Sequence, residues 1–247
     1  VQQLLARATA EEQDLLRGLV FGELRQGAME AVVQEGLAAA FDVPVAAVRR
    51  AAMLMSSTTA AAAVLLAGGR EALEAVGLQV GIGIQPMLAA SAPGPDAALE
   101  KTGLPAVVDY KLDGVRVQVH RAGEEVRIFT RSLDDISARL PEVAAVAQSL
   151  PHDQLVLDGE VLSLRTDGRP EAFQVVASRT MSSVDVSALT QTGSLQVFFF
   201  DLLHVDGRDL LDAPLAERLD HMRQLLPENV TVPRVVCATP AEAAETF

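Results

Sequence analysis

The hydrophobic period of this chain changes once, across a Gly/Pro-rich stretch, and that change restricts the possible folds more than any other feature. Before it, apolar residues recur at helical spacing: Leu4, Leu5, Ala8, Leu15, Leu16, Leu19 and Val20, then Ala31, Val32, Leu37 and Phe41. Asp42-Val43-Pro44 predicts a turn, with a new helix through Val48, Ala52 and Met55 behind it. Gly68-Gly69 predicts a break ahead of a short helix over 71–76. No segment up to Val76 alternates as a strand does. Then come Gly77, Gly81, Gly83, Pro86, Pro93, Gly94 and Pro95, and the domain boundary is placed here, giving units 1–84 and 85–247.

Past the boundary the period becomes two. Val115, Val117 and Val119 alternate with Arg116, Gln118 and His120; Ala122-Gly123-Glu124 turns the chain into Val126, Ile128 and Thr130. This predicts a β-hairpin with one buried face. Ala106–Asp109, 155–164, 195–205 and 230–236 predict further strands, and 214–226 a helix. The expected fold class is multidomain, α and α+β: a helical bundle followed by a domain of antiparallel sheets with flanking helices.

Composition excludes several classes. With 49% hydrophobic and 21% charged residues the chain is not a disordered tail, and its one cysteine, Cys237, excludes a disulfide-stapled fold. The apolar run 51–67 is interrupted by Ser56-Ser57-Thr58-Thr59, so a buried helix is expected there and no membrane span. With no signal peptide ahead of Val1, the expected setting is cytoplasmic and the expected state monomeric. Twenty basic against thirty-three acidic residues leave a net charge of −13, which weakens diffuse attraction to phosphate. Only two of the basic residues are lysines, Lys101 and Lys111.

Lys111 stands in Asp109-Tyr110-Lys111-Leu112-Asp113-Gly114-Val115-Arg116, a loop expected between two strands. By itself this could be a hairpin whose Asp-Gly makes the turn and whose lysine is solvated. Asp158 and Glu160, two apart on a strand, share a face, and Leu155, Leu157 and Val161 take the other. Two carboxylates side by side need a cation or a donor; otherwise they mark a polar edge strand. Phe198, Phe199 and Phe200 occur in succession; core roles are expected for Phe198 and Phe199. His120, His152, His204, His221 and Cys237 lack zinc-ligand spacing. Gly81 and Gly83 are linker glycines, since no phosphate-loop Lys-Ser/Thr follows them.

The Lys-x-Asp-Gly-x-Arg pattern resembles the nucleophile motif of the covalent nucleotidyltransferases: ATP-dependent DNA ligases, RNA ligases and capping enzymes. Phe129-Thr130-Arg131-Ser132, Leu157-Asp158-Gly159-Glu160, Phe173-Gln174-Val175 and Phe198-Phe199-Phe200-Asp201-Leu202-Leu203 are similar to further family segments in the same order. Five ordered matches over about ninety residues are far more specific than any one. Gly22-Glu23-Leu24-Arg25-Gln26-Gly27 resembles a stretch of the helical DNA-binding domain of larger ATP-dependent DNA ligases. Ile84-Gln85-Pro86-Met87-Leu88-Ala89 is similar to the segment preceding their adenylation domain. Taken together these segments resemble the actinobacterial ATP-dependent DNA ligases, over nearly the whole chain.

The resemblance implies 1–84 as a partial DNA-binding domain and 85–247 as an adenylation domain incomplete at its end. It implies a lysine–AMP intermediate on Lys111, with ATP and Mg²⁺ as cofactors and nicked duplex DNA as partner. A free lysine is neutral in only roughly 0.04% of molecules at pH 7, so the site must favour the amine. Asp109 would bond the adenine amino group, Arg116 the ribose or a phosphate, and Arg131 the AMP phosphate or the nick 5′-phosphate. Glu160 would meet the ribose hydroxyls, Phe200 would stack on adenine, and Asp158 and Glu160 are the metal candidates. The family's downstream lysines and oligonucleotide-binding domain have no counterpart after Lys111, and Thr239-Pro240-Ala241-Glu242 starts a helix close to the last residue. A fragment is therefore expected, one that binds DNA poorly and reacts with ATP slowly or not at all. An RNA ligase or capping-type enzyme, or a catalytically dead nucleotide-binding protein, are the rival readings.

Overall fold

The computed structural model describes residues 7–21, 30–86, 89–165, 167–181 and 194–247. Leu4 and Leu5, the Gly22–Gly27 stretch, Met87 and Leu88 lie outside them. The first part is helical: α1 (Ala10–Phe21), α2 (Glu30–Ala40), α3 (Val45–Leu54) and α4 (Thr58–Glu74). Small side chains let α2–α4 approach closely, and Ala38, Val43, Val48, Ala51, Ala52, Ala61, Leu65 and Leu73 form their core.

The apolar run 51–67 is not one buried helix. Ser56 adopts a φ of 54°, and the Ser57 hydroxyl accepts the Ala60 amide at 3.1 Å to cap α4. The chain bends by 119° between α3 and α4. Among the described residues no single helix is long and apolar enough to cross a membrane. Gly69, at φ 65° and ψ −157°, interrupts the helical backbone of α4, as its pairing with Gly68 predicts.

The second part contains α5 (Pro95–Thr102), β1 (Ala106–Asp109), β2 (Val115–Ala122), β3 (Glu125–Thr130), α6 (Pro141–Ser149), β4 (Gln154–Leu164) and α7 (Phe173–Met181). After these come β5 (Ser194–Val205), β6 (Arg208–Asp209), α8 (Leu215–Leu225), β7 (Arg234–Cys237) and α9 (Pro240–Thr246). Strands β3-β2-β4-β5-β6 make one antiparallel sheet, and β1-β7 a separate antiparallel pair. β4 is therefore central, not an edge strand. On one sheet face Val117, Val119, Leu155, Leu157, Val161, Val197, Phe199 and Leu202 join Val143 of α6, Val176 of α7, and Leu219 and Met222 of α8 in the main core.

The other face is divided. At one end Val156 and Leu203 are covered by Leu54 of α3 and by Ile84, with Met53, Val76, Leu78 and Val80 around them. Arg50 of α3 also makes a bidentate ion pair with Asp212, at 2.8 and 2.6 Å. At the other end Arg116, opposite Glu160, and Gln118, opposite Asp158, place polar groups on the sheet. The helical part thus covers the apolar end and leaves the polar end to form a site.

Three expectations change. β1 and β2 are not a hairpin: β1 pairs with β7, matching Asp109 to Arg234, so 110–114 crosses between sheets. The last strand starts at Arg234, because Glu228–Val230 forms a 3₁₀ turn. Helices α5, α6 and α7 were not foreseen. The Thr239 cap is as the sequence indicates, its hydroxyl accepting the Glu242 amide at 3.2 Å.

Candidate functional site

A cleft of about 1420 Å³ opens at the polar end, lined from both sheets by Asp109, Lys111, Arg116, Arg131, Glu160 and Phe200, with Arg139, Phe173 and Val232 among their neighbours. Six residues scattered over 92 positions of chain converge there, and the reason in each case is local.

Lys111 lies exposed on the crossing segment, its ammonium donating to the Leu112 carbonyl at 2.6 Å. Gly114 explains the Asp-Gly that follows. A Cβ there would stand 2.2 Å from the Val161 carbonyl oxygen and 3.0 Å from Glu160 Cγ, so only glycine lets the segment press against β4. The need is close approach, not a tight turn. The contact brings the Gly114 amide to Glu160 Oε1 at 3.1 Å. Burial raises the Glu160 pKa; the Gly114 hydrogen bond and the charges of Lys111 and Arg116 oppose the rise, while Asp113 adds to it.

Arg116 bridges two partners. Its Nη2 donates to Asp158 Oδ2 at 2.7 Å, and its guanidinium lies over the Phe200 ring, 5.4 Å from the centroid. Asp158 is 7% exposed and takes a second bond from Gln118 Nε2 at 3.2 Å. Burial raises its pKa against the pull of Arg116 and Gln118, Asp201 adding to the rise. Both its oxygens are thus engaged, and it is absent from the cleft lining. Among the described residues no group of three or more His, Cys, Asp or Glu side chains is arranged to hold a metal. Mg²⁺ commonly takes only one or two carboxylates plus substrate phosphates, and Glu160 fits that smaller role.

Phe200 reaches the cleft through a β-bulge. Phe199 pairs with Gly159 and Asp201 with Asp158, which leaves Phe200 as the extra residue. Gly159 makes room for this, since a Cβ would come within 2.9 Å of the Phe198 carbonyl and the Phe199 ring. Phe199 is fully buried in the core as expected, but Phe198 is only partly buried and stands outside it. Phe198 stands opposite Glu160, at the polar end of the sheet.

Asp109 ends β1 half-exposed, 3.4 Å from Arg234 Nε. Partial burial raises its pKa, Arg234 lowers it and Asp201 raises it again. Arg234 also donates to the Phe200 carbonyl at 3.1 Å, joining β7 to the bulge. Beside it, Arg218 holds Asp201 with two bonds at 2.7 and 2.9 Å. Sequence reasoning missed Arg234, Arg218 and Gln118. The first two sit in no recognisable motif; Gln118 was visible as a polar residue in an alternating strand.

Arg131 follows β3 in a turn closed by the Leu133 amide on the Thr130 carbonyl (2.9 Å) and the Thr130 amide on the Asp134 carbonyl (3.0 Å). It is exposed and forms no hydrogen bond or ion pair with the described residues. An unpaired guanidinium on a cleft wall is suited to an oxyanion. These six residues offer an amine, two carboxylates, two arginines and an aromatic ring to a ligand with phosphate, hydroxyl and planar parts.

Residues 86–246 match the family described as ATP dependent DNA ligase domain. A "Probable DNA ligase" of Nocardioides sp. is 54% identical over 246 residues, covering 99% of this chain and 47% of that protein. One of the same name from Streptomyces avermitilis is 50% identical over 247 residues, covering 99% and 48%. The chain spans about half the length of the curated relatives it matches. The ligase domain of M. tuberculosis LigD, at 24% identity, matches 55% of this chain and 41% of its own with a TM-score of 0.40. Since the family match takes in well over half of the sequence, the chain belongs to the ATP-dependent DNA ligase domain family.

Proposed function

We propose that the whole protein seals nicks in duplex DNA, with ATP as substrate and Lys111 as nucleophile. The observation that carries this is the meeting of Lys111, Glu160, Arg116, Arg131 and Phe200 in one cleft. The neutral Lys111 amine attacks the α-phosphorus of ATP; a phosphorus–nitrogen bond forms, the α–β bridging bond breaks, and pyrophosphate leaves. The nick 5′-phosphate then takes AMP from the lysine, and the 3′-hydroxyl displaces AMP to make the phosphodiester.

Each side chain has a part suited to its chemistry. Phe200 stacks on adenine, and Asp109 accepts from the adenine amino group. Arg116 holds ribose or phosphate, and Arg131 the AMP phosphate or the 5′-phosphate. Glu160 accepts from the ribose hydroxyls or supplies one ligand to Mg²⁺, whose charge would offset that of the phosphates. Glu160 also sits close enough to Lys111 for their charges to interact. Helices α1–α4 are assigned to duplex binding.

The test is sealing of a 5′-phosphorylated nick in a DNA duplex by the whole protein with ATP and Mg²⁺, beside Lys111→Ala. Sealing by wild type alone supports the reading. Sealing confined to RNA strands favours an RNA ligase, and equal sealing by Lys111→Ala refutes the covalent route.

A further inference from the structure

A line of buried hydrogen bonds joins the segment 81–84 to the cleft, and its direction can be read from donors and acceptors alone. The Gly81 amide donates to His120 Nδ1 at 3.0 Å, so that nitrogen carries no proton. His120 Nε2 is then the donor to Gln118 Oε1 at 2.9 Å, and the Ile84 amide donates to the same oxygen at 2.7 Å. Two donors on one oxygen settle which end of the Gln118 amide is which. The NH₂ group must point the other way, where it meets Asp158 Oδ1 at 3.2 Å and the Ile84 carbonyl at 3.4 Å. Asp158 in turn holds Arg116, and Arg116 lies over Phe200. Gln118, His120 and Asp158 are 5%, 1% and 7% exposed, so water does not substitute for these partners. None of the three lines the cleft.

From this geometry we infer that Gln118 is a positioning residue for the nucleotide site: oriented by His120 and the backbone of 81–84, it holds the Asp158 carboxylate and, through it, the Arg116 guanidinium. The inference rests on the cleft being the ATP site. A carboxylate with one satisfied oxygen can rotate toward a different partner; one bonded at both oxygens presents Arg116 in a single arrangement. The same line makes seating of 81–84 and nucleotide binding mutually dependent, as linkage requires.

The experiment is a double-mutant cycle on ATP affinity, measured by calorimetric titration of the whole protein with ATP. Gln118→Met keeps the length of the side chain and removes every bond; it should weaken ATP about tenfold, the range of coupling within one network. Arg116→Met should weaken ATP at least as much. The double variant should bind no worse than Arg116→Met alone, because Gln118 acts only through Arg116. Gln118→Glu keeps an acceptor for Ile84 and His120 but removes the donor to Asp158, and it should lose at least as much affinity as Gln118→Met. It decides the matter if Gln118→Met does not fold. Losses that multiply in the double variant, or full affinity in Gln118→Glu, would overturn the inference while leaving the ATP site in place. Absence of ATP binding by the whole wild-type protein would overturn the functional reading and this inference with it.

Discussion

Gly114→Ala is the substitution whose consequence follows most directly from the geometry. A Cβ at this position would lie 2.2 Å from the Val161 carbonyl oxygen, 2.7 Å from Leu162 Cδ2 and 3.0 Å from Glu160 Cγ. The Leu162 methyl can move aside, but the carbonyl belongs to the central strand of the sheet. Reaching an ordinary contact therefore moves the crossing segment by about 1 Å, and the Gly114–Glu160 bond is stretched with it. Overpacking of this kind costs about 1–3 kcal/mol. In a chain of this size that lowers the melting temperature by roughly 2–12 °C. The effect on chemistry is larger, because Lys111 rides on the displaced segment: a 1 Å misplacement of a reacting group costs on the order of 100-fold. The assay is the rate of AMP attachment to the protein, alongside thermal unfolding followed by circular dichroism. A Gly114→Ala variant that forms the adduct within a few-fold of the wild-type rate would refute the argument that close approach to β4 positions Lys111.

Two further outcomes are expected. Burial, with His204 adding to it, lowers the His120 pKa from 6.5 to about 4, so the folded chain binds fewer protons than the unfolded one between those values. Stability then rises with pH across that window and is lost below it, by about 3 kcal/mol; urea unfolding at pH 7 and pH 4 should show this drop in wild type and a smaller one in His120→Gln. The raised carboxylates Asp109, Asp158 and Glu160 act in the opposite sense and are common to both proteins. Ser57→Ala removes the cap of α4 and should cost about 1 kcal/mol, read as a lower midpoint in the same urea titration.

Much of this architecture was legible before the structure, and the parts that were not have definable causes. Period-two alternation marked β2, β3 and β4, because apolar side chains fill one face of each and polar ones recur on the other. The pairing of β1 was hidden: Asp109 and Arg234 are 125 positions apart, and nothing in either local sequence announces the other. The bulge that turns Phe200 outward was equally silent, since it arises from the register of two long strands. The kink at Ser56 and Ser57 lay inside an apolar run whose overall hydrophobicity outweighed the capping signal. At the site, Lys111, Arg116, Arg131, Glu160, Asp109 and Phe200 were each singled out by residue type and motif, and all line the cleft. Asp158 was singled out with them but lies beneath Arg116. Spacing on a strand tells which face a carboxylate takes, not which neighbour occupies it first.

The most direct test of the central claim is the intact mass of the whole protein after incubation with ATP and Mg²⁺, followed by peptide mapping of any adduct. The account predicts a gain of one AMP carried by the peptide containing Lys111, and no gain in Lys111→Ala. AMP on Lys101 or elsewhere, or an adduct that persists in Lys111→Ala, would contradict it.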